Sequence, residues 1–343
     1  MNTRPGYKPV IAAPVDEPVE VSLLAKSGAG EVYCGFLPRQ WRERYSGYDS
    51  LSRRQGISAN VTVLENLRMV ALEAKKAGVS SALALNVRYS QEMLPEVLEY
   101  AEVWEQAGGQ ALLVSDLGLL LALQEKQPRL NRFLSLMAAA FNSRAVGFYR
   151  QFGISRMVLP RSLTIEEMHY IVKLHEDIEF EAMVLNDKCP YIDGLCNFYH
   201  GMAFPEGIRI PFEYQRAASE QKPVTYAHDL FYAGHACQLK FRAGKEIINP
   251  DWDNDFCRPH CAACCLQKLA SAGINHWKIG GRGLPTEVKI KAVKFIKDAW
   301  NLAVDSPEEG IPCQEIKDLY KDTYGRHCSC ELCYYPEDGM VEV

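Results

Sequence analysis

The sequence predicts a closed (β/α)8 barrel of the TIM type that carries a long cysteine-rich insertion between its seventh and eighth strands. Three observations lead there. Short apolar runs alternate with longer segments of helical period along the first 187 residues. An eighth unit of the same kind follows after a delay of roughly 90 residues. Eight is also the strand number whose inward side chains just fill a closed parallel barrel. An open doubly wound sheet shares the alternation and is the competing layout.

The first strand is expected at Val10 to Val15, followed by a helix from Val19 to Lys26, and the second strand at Glu31 to Gly35. Thr62 to Ala77 then reads as a helix. Thr62 and Glu65 have capping-box spacing, Leu67, Val70, Ala71, Ala74 and Ala77 form one apolar face, and Gly78 closes it. The third unit is strand Ser81 to Val87 with helix Met93 to Gln106, and the fourth is strand Ala111 to Ser115 with helix Leu117 to Glu125. The fifth pairs strand Arg132 to Ala139 with helix Ser143 to Phe152. The sixth pairs strand Arg156 to Pro160 with helix Ile165 to His175, where Thr164 and Glu167 form a second capping box. Glu179 to Asn186 is the seventh strand. The eighth, His276 to Gly280, precedes an amphipathic helix from Thr286 to about Val304. The expected organisation is therefore barrel units 1–7 over 1–186, an insertion over 187–275, the eighth unit over 276–305 and a tail over 306–343.

Composition limits the function classes. Of 343 residues, 48% are hydrophobic and 24% charged, the balance of a globular protein. The net charge of −5 disfavours nucleic-acid binding driven by bulk charge, though not a local basic groove. The longest apolar stretches, such as Leu117 to Leu123, are too short to span a membrane. The N-terminus lacks the apolar core of a signal peptide, so a cytoplasmic protein is expected.

Cysteine is the anomaly. Eleven of twelve lie between Cys189 and Cys333, and only Cys34 precedes them. In a reducing compartment such concentration points to metal rather than disulfides. Seven fall in the insertion, which leaves the C-terminal end of a barrel strand, the face where such barrels carry their chemistry. Cys189 and Cys196 stand seven apart, with Cys237 and Cys261 far downstream, unlike the paired knuckles of a zinc ribbon. Cys257, Cys261, Cys264 and Cys265 include the spacing of radical-SAM enzymes, but in those enzymes the motif follows the first strand. Cys313, Cys328, Cys330 and Cys333 form a compact tail set, expected to hold a second centre, zinc or a second [4Fe–4S] cluster, with Cys257, Cys264 or Cys265 as possible substitutes. The tail's weak apolar periodicity suggests that metal supplies its ordering energy.

Several segments resemble the collagenase-like peptidase family (family U32). They are Ala12-Ala13-Pro14 with Ala29 to Tyr33, Val114 to Gly118, Met157 to Met168, and Ala272 to Ile274 with Lys278 to Arg282, matching that family's motifs in order over roughly residues 8 to 300. The chain is similar to the iron–sulfur members of the anaerobic ubiquinone-hydroxylation and RNA-hydroxylation type. By that resemblance Cys189, Cys196, Cys237 and Cys261 fall on the four ligands of a [4Fe–4S] cluster, and Cys34 resembles a cysteine near the second strand of one ubiquinone-pathway member. The departures matter as well. Leu185 stands where the family has His, Gly280 replaces the Glu of its KIEGR motif, and Met137 and Ala139 replace Gln and Asn after the fifth strand. These losses remove the polar groups a hydrolase needs and argue against peptidase activity.

The polar groups left near that face are Arg88, Asp116, Asn142, Arg161, Lys278 and Arg282. Arg161, Lys278 and Arg282 are candidates for holding an anionic substrate, with Asp116 beside them; structural ion pairing is the alternative for Lys278 and Arg282. His200, His235, His260, His276 and His327 lie among or near the cysteines, and Phe198, Tyr199, Phe204, Phe212 and Tyr214 read as the insertion's own core. The expected function is an iron–sulfur enzyme that modifies a small or planar organic substrate without molecular oxygen, hydroxylation being what the resemblance implies. A non-catalytic cluster-bearing partner protein is the alternative, and a second family member is a possible hetero-partner.

Overall fold

The computed structural model describes residues 9–45, 50–54, 56–126, 129–187, 189, 191–196, 241–243, 246–248, 260–305, 313–329 and 332–336, and the backbone alone for 241–243, 246–248, 305 and 313. Eight parallel strands close into a barrel: β1 (Val10–Pro14), β2 (Glu31–Gly35), β3 (Ser80–Leu85), β4 (Ala111–Val114), β5 (Asn131–Leu134), β6 (Ile154–Val158), β7 (Glu179–Leu185) and β10 (His276–Ile279). The sequential strands pair in order. β10, the delayed eighth, sits between β7 and β1, with Ala12 opposite Lys278 and Trp277 opposite Ala182. An antiparallel hairpin, β8 (Phe241–Ala243) with β9 (Glu246–Ile248), lies within the insertion.

The helices α1 (Pro18–Ser27), α3 (Leu64–Ala77), α4 (Leu94–Gln106), α5 (Leu117–Lys126), α6 (Ser143–Arg150), α7 (Ile165–Leu174) and α9 (Thr286–Asp305) alternate with the strands, and α8 (Leu266–Ser271) precedes β10. In α3 the buried side chains are Leu67, Val70, Ala71 and Ala74, one helical face, and Gly78 ends it in the left-handed region at φ 69°. Thr164 and Glu167 cap α7 reciprocally, through bonds of 3.2 and 2.8 Å.

Three expectations need correction. The Thr62–Glu65 box does not form: α3 starts at Leu64, after Val63, and Glu65 instead pairs with Arg68 at 3.3 Å. The fifth strand stops at Leu134, because the Ser135 hydroxyl accepts the Met137 N–H and begins a 3₁₀ turn over Leu136–Ala138. The tail has apolar periodicity of its own. It forms α10 (Cys313–Tyr324), which buries Ile316 and Tyr320 and sets Tyr320 and Tyr324 against Phe295 of α9, with ring centroids 5.8 and 5.3 Å apart. A further short helix between β2 and α3, α2 (Arg39–Arg44), lies outside the expected units and is anchored by buried Trp41.

Most of the core lies between barrel and helices. Inside the barrel, Tyr33, Ala82, Ala84, Ala111, Leu113, Phe133 and Val158 alternate large with small. The remaining interior is ionic. Arg156 binds Glu31 at 2.8 Å and Glu181 at 3.3 Å while lying 3.9 Å over Phe133, and Lys278 binds Glu181 at 2.7 Å while lying 4.0 Å over Tyr33. At the lower rim His276 and Arg156 both reach Glu179. Glu31 and Glu181 each meet a cation within the barrel, so the network compensates its own buried charge.

Candidate active site at the barrel mouth

The C-terminal ends of the strands and the β2–α3 segment converge on one polar mouth. The β7 exit is its centre. Asn186 and Asp187 both take left-handed backbone, at φ 61° and 55°, a conformation that Asn and Asp tolerate better than other non-glycine residues. Fixed bonds hold this turn. Asn186 N–H donates to His260 O at 2.7 Å, its side chain donates to Gly280 O at 3.2 Å, Tyr334 OH donates to Asn186 O, and Arg161 donates to Asp187 O.

Asp187 turns its carboxylate onto Arg54 at 2.5 Å and accepts the Gly281 N–H at 3.1 Å. Burial pushes the Asp187 carboxyl up, and the charge and hydrogen bond of Arg54 more than offset that, leaving it below the usual carboxylate value. This explains a departure noted in the sequence. A Cβ at position 280 would stand 2.5 Å from Asp187 Cγ and 2.6 Å from its Cβ. Glycine replaces glutamate there because a carboxylate from the β7 exit already fills the space.

Arg282 has the most unusual environment. It is 5% exposed and donates to Ser52 Oγ at 3.0 Å. No carboxylate among the described residues ion-pairs with it. A side chain on Gly35 would collide with the Arg282 guanidinium and the Asn60 amide oxygen, so the strand is cleared for this arginine. Burial lowers the Arg282 pKa, and burial likewise raises that of Cys34 to about 12. Cys34 is fully buried and behaves as a core thiol.

On the other rim Arg161 chelates Asp193 through Nε and Nη2, and the Asp193 carboxylate also accepts the Arg161 N–H at 2.8 Å. Between the two rims stand Cys189 and Cys196, electrostatically coupled to each other. The Arg53 guanidinium hydrogen-bonds Cys196 and also feels Cys189, whose thiolate Arg161 favours as well. Burial raises the Cys189 thiol nonetheless.

The remaining sequence candidates divide. Lys278 points into the barrel interior and pairs with Glu181, the structural alternative. Asp116 accepts the Leu119 N–H at 2.8 Å and fastens the start of α5. Arg88 donates to Ser115 and to Met137 O at the rim, and Asn142 caps α6. Cys237, Cys257, Cys330, His200, His235 and the five insertion aromatics lie outside the described residues, as does the side chain of Cys313. Cys261 is described and bonds elsewhere. Its backbone bridges to Leu185 on one side and Cys333 on the other, and its thiol donates to Cys328, whose pKa falls to about 7 through that bond. Of the four cysteines matched to a cluster, the structure couples Cys189 with Cys196 and bonds Cys261 to Cys328. The two mouth thiols fit the soft-donor demand of an iron–sulfur cluster, half of a full set. Among the described residues no three His, Cys, Asp or Glu side chains already stand at the mutual distances of a single ion's ligands.

The sequence pattern does not mark Arg53, Arg54, Ser52, Asn60, Asp187 or Asp193 as site residues. The one available signal is the basic doublet Arg53-Arg54 in an acidic chain.

A model of peptidase family U32 matches residues 17–340. The "tRNA hydroxylation protein P" of Escherichia coli strain K12 is 27% identical over 190 residues, which cover 55% of this chain and 39% of that protein. The "tRNA hydroxylation protein P2" of Bacillus subtilis strain 168 is 25% identical over 242 residues, covering 69% of this chain and 72% of its own length. The chain thus spans about two fifths of the E. coli relative. Among solved structures, the U32 peptidase Mk0906 aligns over 54% of this chain and 72% of its own, with TM-score 0.40 and 13% identity.

Proposed function

This chain belongs to peptidase family U32, and from that premise we propose that it serves oxygen-independent hydroxylation of tRNA through an iron–sulfur cluster at the barrel mouth. The relatives named for tRNA hydroxylation support RNA rather than a free small molecule as the substrate class. The observation that carries the reading is the mouth itself: Arg53, Arg54 and Arg161 stand at Cys189 and Cys196, with buried Arg282, which has no carboxylate partner among the described residues, behind Arg54, in a chain of net charge −5. Bulk charge would repel RNA, so a local cationic rim must do the binding. Arginine suits this role, because its planar fork matches phosphate oxygens.

Cys189 and Cys196 would hold the cluster, with Cys237 joining them by resemblance to the family. When bound, the cluster supplies one-electron redox capacity. The protein's own groups do the rest. Arg53 and Arg54, both partly exposed, bind phosphate, while buried Arg282 adds positive charge behind them, Asp187 keeps Arg54 oriented and the Asn186–Asp187 turn fixes the approach to Cys189. A peptidase reading finds no support at this site. The buried Asp116 caps a helix, Asp187 and Asp193 are committed to arginines, and no nucleophile with an adjacent base stands among the described residues of the mouth.

Anaerobically purified protein tests this. It should show cluster absorbance and an EPR signal on reduction, and Cys189→Ser with Cys196→Ser should remove one cluster's worth of iron, sulfide and signal. Arg53→Gln and Arg54→Gln should each weaken tRNA binding and flatten its dependence on salt by about one counterion for each phosphate no longer neutralised. Unchanged binding in both arginine variants would remove tRNA from this mouth.

A further inference from the structure

A second group of thiols lies outside the mouth, where the end of the insertion meets the tail. The segment 260–262 runs antiparallel beside the end of β7, with Asn186 N–H bonded to His260 O at 2.7 Å and Ala262 N–H to Val184 O at 2.8 Å. Its outer edge takes up the tail. Cys261 N–H donates to Leu332 O and Tyr334 N–H donates to Cys261 O, both at 2.9 Å, which sets Cys261 and Cys333 side by side. Cys264 and Cys265 follow at once in a 3₁₀ turn leading into α8.

The thiols are coupled to one another. Cys261 hydrogen-bonds Cys328 and Cys265 hydrogen-bonds Cys333, while Cys264 acts electrostatically on both Cys261 and Cys265, and Cys333 on Cys328. Each of these five thiols is thus coupled to two others, although no three of them already stand at the mutual distances of a single ion's ligands. Cys261 and Cys265 are buried, the other three half-buried. Packing alone does not explain this. Apolar side chains such as Leu266, Leu269, Leu332 and Tyr335 already fill the junction, so five thiols of modest hydrophobicity add little beside them. Four thiolates on one soft metal, by contrast, would contribute folding energy directly and fasten the tail to the barrel.

We propose that Cys261, Cys264, Cys265, Cys328 and Cys333 supply a thiolate metal centre at the junction of insertion and tail, and that Cys261 serves this centre rather than the mouth. Two pairs of these thiols are held by hydrogen bonds, and the five must draw together around the metal. Four of the five suffice for tetrahedral zinc or for a [4Fe–4S] cube. The location is structural in character, because it is built where the backbone beside β7, the start of α8 and the tail meet. The inference stands whether or not the mouth acts on tRNA.

The test uses full-length protein purified without oxygen and counts zinc, iron and sulfide per chain. Cys328→Ser with Cys333→Ser should remove one centre and leave the metal that depends on Cys189 and Cys196. Cys261→Ser should lose the same metal as the tail variant. Zinc lost alone identifies a zinc site, and iron lost with equal sulfide identifies a cluster; either supports the centre. If Cys261→Ser instead loses the metal lost by Cys189→Ser with Cys196→Ser, or if the tail variant loses none, the proposal fails. Because a variant can misfold, wild-type protein supplies the second arm. Its five junction thiols should resist alkylation under reducing conditions and become reactive on chelation. Thiols that react without chelator, or that are freed by reductant alone, would mark free thiols or disulfides and overturn the proposal.

Discussion

Gly280 and Asp187 show how one position constrains another across the barrel. Glutamate at 280 requires the volume that the Asp187 carboxylate occupies. Gly280→Glu alone should therefore destabilise the protein by about 1–3 kcal/mol, the usual cost of forcing atoms into filled space. Asp187→Gly combined with Gly280→Glu should recover much of that loss, because the carboxylate then comes from the eighth strand instead of the seventh. A double-mutant cycle in urea measures this coupling, and additive effects would show the two sites to be independent. The buried Arg156 makes a different prediction. Arg156→Met leaves Glu31 fully buried without its cation and should cost about 3–5 kcal/mol, read from the shift in urea midpoint.

At the scale of elements, helix α7 and helix α3 provide a matched pair. Thr164→Ala removes a formed capping box and should cost about 1 kcal/mol. Thr62→Ala, at a position where the same spacing forms no box, should change stability little. Equal losses would mean that α3 begins earlier than Leu64. The contrast also shows what a sequence can reveal. Alternating apolar runs make the eight strands legible, since burial on both faces leaves a composition signal that loops lack. The end of β5 is not legible, because Leu134 to Ala140 continues as an apolar run while one serine hydroxyl turns the backbone. The tail helix is hidden for another reason: Ile316, Tyr320 and Tyr324 do have helical spacing, but the flanking cysteines dominate the segment. Of the mouth, Arg161, Arg282, Cys189 and Cys196 are visible in strand-end positions. Arg53, Arg54 and Asp193 are not, since loop residues reach a site through folding that no period encodes.

For the whole molecule, the ionic interior links barrel closure to pH. Glu179 is held down to about 2, first by its hydrogen bond with His276 and then by Arg156 against the opposing effect of burial. A carboxylate whose folded value is depressed stabilises the fold above its ordinary value of 4.5, and this contribution is lost as pH falls through about 2. Glu179→Gln should therefore flatten the acid limb of the stability profile over that window and leave the neutral region's slope unchanged, as followed by circular dichroism. The mouth sits at the other end of the same barrel, so Glu179→Gln probes the lower rim without altering a residue of the site. No helix among the described residues is long and apolar enough to cross a membrane.

The proposed hydroxylation of tRNA from a cluster at the barrel mouth can be tested in cells. The most direct measurement is mass spectrometry of nucleosides from tRNA of anaerobically grown cells that lack the chain, complemented either with wild-type protein or with Cys189→Ser and Cys196→Ser. The account predicts a nucleoside one oxygen atom heavier that returns with wild-type protein and stays absent with the thiol variant. An identical nucleoside profile in all three cell lines, with wild-type protein expressed and cluster-loaded, would contradict it.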